Sequence, residues 1–147
     1  MIIQPITKSD IKELAALYVS VFSSPPWNEP WTQKSAQERL EWIYESRGFL
    51  GFLVKEKESI QGMALGNIEP FLGERVFYLR EMMIGSDKQR EGLGAQLLKQ
   101  LHIHLKEIFV SRSYLITKNE SPAAKFYLSN GYTLEHADGF YEISLSS

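Results

Sequence analysis

The sequence predicts a mixed α/β fold in which strands and helices alternate without forming a regular βαβ array. Three observations carry the prediction. Residues 76–84 form an apolar stretch typical of a buried strand. Residues 93–108 carry leucine and isoleucine at the spacing of a helix with one buried face. Between these two segments lies a glycine turn, Gly92-Leu93-Gly94.

The first half of the chain supplies two further helices. Residues 1–6 predict a short strand, and the polar residues 7–10 then provide helix-starting side chains. The apolar face of the first helix is predicted to consist of Ile11, Leu14, Ala15, Tyr18 and Phe22. Residues 23–30 contain three prolines and break the helical pattern, and a second helix is predicted from about 32 to 45.

The remaining elements complete the order β α α β β β α β α β β. A fourth, short helix is predicted at residues 122–129. The remaining strands are predicted at residues 48–55, 59–70, 76–84, 114–117, 132–135 and 140–145. No repeat, low-complexity tract or linker divides the chain, so one domain covering residues 1–147 is predicted.

Bulk composition excludes several classes of function. The 147 residues are 44% hydrophobic and 23% charged, as in an ordinary globular domain, and the net charge of −2 offers no basic field for nucleic acid. Without cysteine, disulfides, thiolate catalysis and cysteine-type zinc sites are excluded. His102 and His104 point about 200° apart on a helix, so no metal is expected. A cytoplasmic protein is predicted, with neither signal peptide nor membrane partner.

The string Gln89-Arg90-Glu91-Gly92-Leu93-Gly94 predicts a phosphate site. A glycine turn at a helix start leaves backbone N–H groups unpaired, and the helix dipole adds positive charge there. The string is neither a Walker loop nor a complete dinucleotide fingerprint, because the third glycine of G-x-G-x-x-G is missing. A purely structural turn before a helix is the alternative.

These features together resemble the GNAT superfamily of acetyl-CoA-dependent N-acetyltransferases. Residues 89–94 match that family's [QR]-x-x-G-x-[GA] pattern, and residues 119–132 match its N-x(7)-Y…G-[FY] region. The order of elements extends the resemblance over nearly the whole chain. It implies a GNAT fold, with a mixed sheet of about seven strands and four helices, splayed between the fourth and fifth strands. It also implies that the chain could form a homodimer.

The resemblance implies where acetyl-CoA would bind as a co-substrate. The pantetheine arm would pair with the strand backbone at Met82, Met83 and Ile84, and Asn119 would contact it at the end of the next strand. An Asx turn or a helix cap is the alternative role of Asn119. The pyrophosphate would lie on the glycine turn and first helical residues, which comprise Gln89, Arg90, Glu91, Gly92, Leu93, Gly94 and Ala95.

Two residues are predicted to carry the chemistry. Tyr127 stands at the family's tyrosine position and would protonate the leaving thiolate, unless it is only a core tyrosine. Glu81 is expected on one face of its strand with Leu79 and Met83, where partial desolvation raises a carboxyl pKa towards the range of a general base. A salt bridge to Arg80 or a solvated strand end is the alternative. If Glu81 only binds the positive charge of the amine, water could carry the proton instead.

The resemblance also implies that the break between the first two helices lines the acceptor pocket. Trp27, Glu29 and Trp31 would suit a cationic amine through cation–π contact and charge pairing, and Tyr78 and Glu69 could face the same pocket. The alternative is that the tryptophans only cap the core. The sequence therefore predicts acetyl transfer from acetyl-CoA to a primary amine of a small molecule. A peptide or protein N-acetyltransferase, a non-catalytic acyl-CoA-binding module and a ligand-free interaction protein remain alternatives.

Overall fold

The structure, a computed structural model, describes residues 1–146, and the strands within them form one five-stranded sheet. Its strand order follows the sequence from β1 to β5. The strands are β1 (Ile2–Pro5), β2 (Phe49–Glu56), β3 (Ser59–Phe71), β4 (Glu74–Ile84) and β5 (Arg112–Tyr114). The helices are α1 (Ile11–Phe22), α2 (Gln33–Glu45), α3 (Leu93–Glu107) and α4 (Pro122–Ser129).

The chain forms two compact units. The first, Met1–Ile116, contains the whole sheet and the first three helices, and the second begins at Thr117 and contains α4. The prediction of one domain stays a prediction. Among the described residues, none of the helices has the length and apolar character that a membrane span requires.

The predicted helices are confirmed in their places. At the start of α2, Thr32 and Ser35 cap each other reciprocally, since the Thr32 Oγ1 accepts from the Ser35 N–H at 3.0 Å. Side chains from α1 and α2 pack on one face of the sheet, where Leu14, Leu40 and Leu65 are almost completely buried. This core holds both helices against the middle of the sheet.

A β-bulge between β3 and β4 sets the direction of the side chains that matter most. Leu65 pairs with Glu81 and the next residue, Gly66, pairs with Leu79, so Arg80 is the extra residue. Glycine is required at 66, because a Cβ there would lie 1.8 Å from the carbonyl oxygen of Tyr78. Paired residues share a face and consecutive residues alternate, so Glu81 and Leu79 lie on opposite faces.

This bulge corrects the sequence prediction that Glu81 shares a face with both Leu79 and Met83. Met83 pairs with Met63, and Met63 and Leu65 belong to the core under α1 and α2, so Met83 and Glu81 do share that face. Leu79 does not. The strict two-residue period fails because one inserted residue inverts the alternation that follows it.

The prediction of about seven strands was wrong for the last two. Residues 132–135 and 140–145 form no strand, and Phe140, Tyr141, Ile143 and Leu145 are 72%, 92%, 80% and 92% exposed. Alternating apolar residues indicate that a segment suits a sheet, but a strand also needs a hydrogen-bonded neighbour. The fifth strand was also misplaced, since it covers Arg112–Tyr114 instead of residues 114–117.

Strands β4 and β5 run side by side only briefly. Their parallel pairing joins Val76, Phe77 and Tyr78 to Arg112, Ser113 and Tyr114. Beyond Tyr78, β4 continues to Ile84, and among residues 1–146 no strand pairs with this edge of it. The sheet therefore opens between the fourth and fifth strands, leaving one backbone edge of β4 uncovered by another strand.

Candidate active site

Glu81 is the centre of a polar cluster beneath α1 and α2. The Tyr18 hydroxyl lies 2.9 Å from Oε2 and 3.2 Å from Oε1, and Arg39 Nη2 lies 3.8 Å from Oε1. The Glu81 side chain is only 14% exposed. Burial raises the pKa of the Glu81 carboxyl, while the Tyr18 hydrogen bond and the Arg39 charge oppose that rise. A desolvated carboxylate of this kind is suited to accept a proton near neutral pH.

Tyr18 and Arg39 are the two partners of Glu81 that sequence reasoning missed. Tyr18 was expected to be a core residue of α1, and it is 2% exposed, but its hydroxyl reaches the carboxylate. Burial, followed by the charge of Glu81, raises the pKa of Tyr18, so the phenol stays protonated and remains a donor. The one available signal was a polar-tipped residue on an otherwise apolar helix face.

The break between α1 and α2 brings two of the predicted acceptor residues close to this cluster. The Trp31 ring packs edge-on against Tyr18 at 4.8 Å between centroids, and Trp31 Nε1 donates to Glu29 Oε1 at 3.0 Å. The negative charge of Glu29 further raises the pKa of Glu81. Trp27 packs on Phe22, with 5.5 Å between the ring centroids, and is 37% exposed. A substrate-binding role for these three residues stays a prediction.

Tyr78 belongs to a second cluster. Its ring stacks on Tyr114 with centroids 4.7 Å apart and planes at 8°, and the Arg80 guanidinium lies 4.6 Å from the Tyr78 ring centroid. The Tyr114 hydroxyl donates to Glu69 Oε1 at 2.8 Å, and burial together with this contact raises the pKa of Tyr114 to about 12. The alternative of a salt bridge between Glu81 and Arg80 was wrong, because Glu81 pairs with Arg39.

The glycine turn has the backbone geometry that the sequence predicted. Arg90 and Gly92 adopt left-handed conformations with φ of 68° and 80°, and Gly92 is the N-cap of α3. Among the described residues other than the two chain neighbours of Gly92, no heavy atom lies within 4 Å of the position that a Cβ on Gly92 would occupy. The N–H groups of Leu93, Gly94 and Ala95 have no acceptor within the helix, because they belong to its first turn.

The turn is tied back to the end of β4. Gln89 Nε2 donates to the carbonyl of Ile84 at 3.0 Å, and Lys88 pairs with Glu56 at 3.3 Å. Glu91 and Arg90 are exposed. The predicted cofactor residues on β4, Met82, Met83 and Ile84, pair with β3 on one side only. The open edge of β4 and the amide-bearing turn thus follow one another directly along the chain.

The second unit contains the two remaining predicted residues. Asn119 is exposed and does not end a strand, since β5 ends at Tyr114. The cap of α4 is Ser121, whose Oγ accepts from the Ala124 N–H at 3.1 Å, so the helix-cap alternative for Asn119 was wrong. Tyr127 is half-buried on α4, and its ring lies 5.6 Å from that of Tyr132. The roles of Asn119 and Tyr127 stay predictions.

The sequence profile of the Acetyltransferase (GNAT) family matches residues 14–132 of the 147. The chain belongs to this family. Among curated protein sequences, none matches this GNAT chain. Within residues 1–146, no group of three or more histidine and carboxylate side chains is placed to hold a metal ion.

Solved structures of low sequence identity share the GNAT fold. A probable acetyltransferase has a TM-score of 0.81 at 19% identity, with 100% of this chain and 99% of that chain covered. An aminoglycoside acetyltransferase from an uncultured soil metagenomic sample, in complex with sisomicin, has a TM-score of 0.77 at 17% identity, with coverages of 99% and 96%. The aminoglycoside N-acetyltransferase AAC(6')-Iy, in complex with CoA, has a TM-score of 0.75 at 15% identity, with coverages of 97% and 93%.

Proposed function

We propose that this GNAT protein transfers an acetyl group from acetyl-CoA to a primary amine of a small molecule by direct attack. One observation carries the proposal. The stretch of β4 from Glu81 to Ile84 presents a desolvated carboxylate on one face and an unpaired backbone edge beside it, and it leads into the Gly92 turn. Amine, acyl donor and phosphate each have a matching group along this one stretch.

The residues of the turn and of β4 would hold the co-substrate. The first-turn N–H groups at Leu93, Gly94 and Ala95, together with the helix dipole, favour a pyrophosphate. The open edge of β4 at Met82–Ile84 can pair with an amide-bearing arm in the manner of an added strand. Acetyl-CoA supplies an activated acyl group as a thioester. The CoA complex of the related AAC(6')-Iy supports this assignment.

Glu81 would act as the base. An ammonium group must lose a proton before its nitrogen can attack the acyl carbon, and Glu81 takes that proton directly or through a water. Tyr18 donates to the carboxylate and Arg39 adds a positive charge, so the two hold Glu81 in position and moderate its raised pKa. As the carbon–sulfur bond breaks, Tyr127 would donate its phenolic proton to the leaving sulfur, in line with the family position that it occupies. The attacking nitrogen loses its second proton as the amide forms, and that proton, passed through water, would restore the phenol.

Trp31 and Glu29 would form the acceptor wall nearest to the base. Trp31 packs on the same Tyr18 whose hydroxyl contacts Glu81, and Glu29 adds negative charge that favours an ammonium group. The bulk of Trp27 and Trp31 favours a compact acceptor over an extended peptide. The similar folds of two aminoglycoside acetyltransferases support the proposal that the acceptor is a small-molecule amine.

Thermal unfolding with and without acetyl-CoA tests the co-substrate first. Ligand at about 100 times its Kd should stabilise the fold by about 2.7 kcal/mol. Release of free CoA is then measured with a panel of small amines and a panel of peptides. Turnover with the small amines supports the proposal. Turnover with peptides alone, acetyl-CoA binding without turnover on either panel, or no thermal shift at millimolar acetyl-CoA would each overturn it.

A further inference from the structure

Arg80 is held in a fixed orientation on the face of the sheet that carries Glu81. As the extra residue of the bulge, it donates from Nε to Asn67 Oδ1 at 2.5 Å. Asn67 is 4% exposed, and its amide nitrogen donates to Ser46 Oγ and to the Arg47 carbonyl at 2.5 and 2.8 Å. The Asn67 oxygen is therefore directed at Arg80, and its hydrogen bond with Nε fixes the orientation of the guanidinium.

Two aromatic rings lie close to this guanidinium. Its central carbon lies 4.6 Å from the ring centroid of Tyr78 and 5.5 Å from that of Trp42. Because Nε donates to Asn67, the Nη1 and Nη2 donors at the edge of the guanidinium remain for polar contacts. That edge is the part of an arginine side chain that matches a carboxylate through two parallel hydrogen bonds.

Arg80 forms no salt bridge within the described chain, although its charge acts on the neighbouring Glu81 and lowers the pKa of that carboxyl. Among residues 1–146, no carboxylate lies within 4.0 Å of it. The neighbouring Glu81 is engaged by Tyr18 and Arg39, and Glu69 accepts from Tyr114. A half-buried arginine that is positioned by a buried amide and forms no salt bridge is suited to bind an anionic group of a ligand.

Arg80 and Glu81 lie beneath the same face of α2. Glu81 contacts Arg39, and Arg80 contacts the ring of Trp42, which is three residues after Arg39 on α2. Residues three apart on a helix are surface neighbours. The site thus presents a carboxylate for an ammonium group and, next to it, a guanidinium for an anionic group.

We propose that Arg80 binds a carboxylate of the acceptor, so that the acceptor belongs to the class of small molecules that carry a carboxylate beside a primary amine, as amino acids do. This inference rests on the proposed function, because it assigns a chemical class to the acceptor of that same site. The amine faces Glu81, and the carboxylate lies against the edge of Arg80.

Binding and turnover are measured with pairs of probes that differ only in the carboxylate. The pairs are phenylalanine with phenethylamine, lysine with cadaverine and serine with ethanolamine. Calorimetric titration at saturating CoA gives each Kd, and CoA release from acetyl-CoA gives each kcat/KM. The protein variants are wild type, Arg80→Gln, Arg80→Lys and Arg112→Gln. Arg112 is the matched control, because it is an arginine over an aromatic ring, 5.6 Å from the centroid of Phe71.

We expect the wild type to bind the carboxylate-bearing member of at least one pair about tenfold more tightly or better, the effect of one charge-assisted contact. Arg80→Gln should remove that preference and leave the affinity for the carboxylate-free member unchanged. Arg80→Lys should keep part of it, and Arg112→Gln all of it. Equal or absent binding of both members in every pair, or an undiminished preference in a folded Arg80→Gln, would overturn the inference.

The two proposals fail separately. Preferential binding of the acids, lost in Arg80→Gln but without turnover on any amine, would support the carboxylate site and overturn acetyl transfer. Turnover on amines with no preference for the carboxylate would support acetyl transfer and overturn the role of Arg80. Thermal unfolding of each variant confirms that it is folded before either comparison is made.

Discussion

The Tyr18 hydroxyl lies 2.9 Å from Oε2 and 3.2 Å from Oε1 of Glu81, which joins α1 to β4 across 63 positions of sequence. The contact lies in the core region beneath both N-terminal helices. It moderates the rise in the Glu81 pKa that burial causes, and Glu81 in turn helps to keep the Tyr18 phenol protonated. The protonation states of Tyr18 and Glu81 are therefore coupled. Replacing Tyr18 alone and replacing Glu81 alone should have different effects on activity.

Replacing Tyr18 with phenylalanine should move the acid limb of the pH profile of kcat/KM to higher pH. The hydrogen bond from Tyr18 lowers the pKa of Glu81, so its loss raises that pKa, and a higher pH is needed to ionise the base. The activity lost at neutral pH should return as pH increases. Tyr44→Phe is the control, since Tyr44 packs on Phe49 in the same core region. An unmoved limb in Tyr18→Phe would show that Glu81 is not the group observed.

Replacing Glu81 with glutamine should lower kcat/KM by about 10²–10⁴-fold, the usual contribution of a general base. Glutamine keeps the size of the side chain but cannot take a proton, so the acid limb should also disappear. The affinity for acetyl-CoA should be unchanged. Glu41→Gln is the control, because Glu41 lies on α2 and accepts only from Gln37 at 3.0 Å. If Glu81→Gln keeps full activity and the limb, the base lies elsewhere.

The same glutamine variant should change how stability depends on pH. The folded pKa of Glu81 is raised, so its stabilising contribution is complete below the unfolded pKa and is lost as pH rises through the folded value. The wild type should therefore lose stability relative to Glu81→Gln as pH rises above the ordinary glutamate pKa of about 4.5. Urea unfolding as a function of pH measures the difference. A difference that runs in the opposite direction would mean that the ionised carboxylate is stabilised by the fold.

Two glycines allow a matched test of the phosphate site. Gly92 and Gly73 have φ of 80° and 78°, and at neither does a described heavy atom, apart from those of the adjoining residues, lie within 4 Å of the position that a Cβ would occupy. Alanine at either position should cost about 1 kcal/mol of unfolding free energy, because the left-handed conformation disfavours a Cβ. Only Gly92→Ala should weaken acetyl-CoA binding, measured by thermal titration. Equal affinity in both variants would place the phosphates elsewhere.

Removing the Tyr127 hydroxyl should lower kcat without changing the affinity for acetyl-CoA. Tyr127→Phe keeps the ring that packs near Tyr132 and removes the proton that the leaving sulfur would take. A loss of about 100-fold in kcat is expected. Tyr141→Phe is the control in the same unit, since Tyr141 is 92% exposed. A kcat within twofold or so of the wild type would remove Tyr127 from the chemistry.

Local sequence patterns predicted the parts of this protein that depend on neighbours along the chain. The helical spacing of leucines in α3, the glycine turn before it and the start of α2 near residue 32 are such features, because their hydrogen bonds close within a few residues. The family motif at residues 89–94 was found in the same way. The exposed segment at 140–145 shows the limit, since its strand-like pattern does not supply a partner strand.

Sequence by itself thus determined the mixed α/β class and the glycine turn at Gly92, which rest on short-range spacing, and the family, which rests on two motifs and the order of elements. Tertiary structure alone decided that Tyr18 and Arg39 approach Glu81, and that Arg80 contacts Asn67 instead. The physical reason is the bulge at Arg80, where one extra residue inverts the side-chain alternation of β4. Such a bulge depends on how two strands pair, so it cannot be predicted from the pattern of residues in β4 alone.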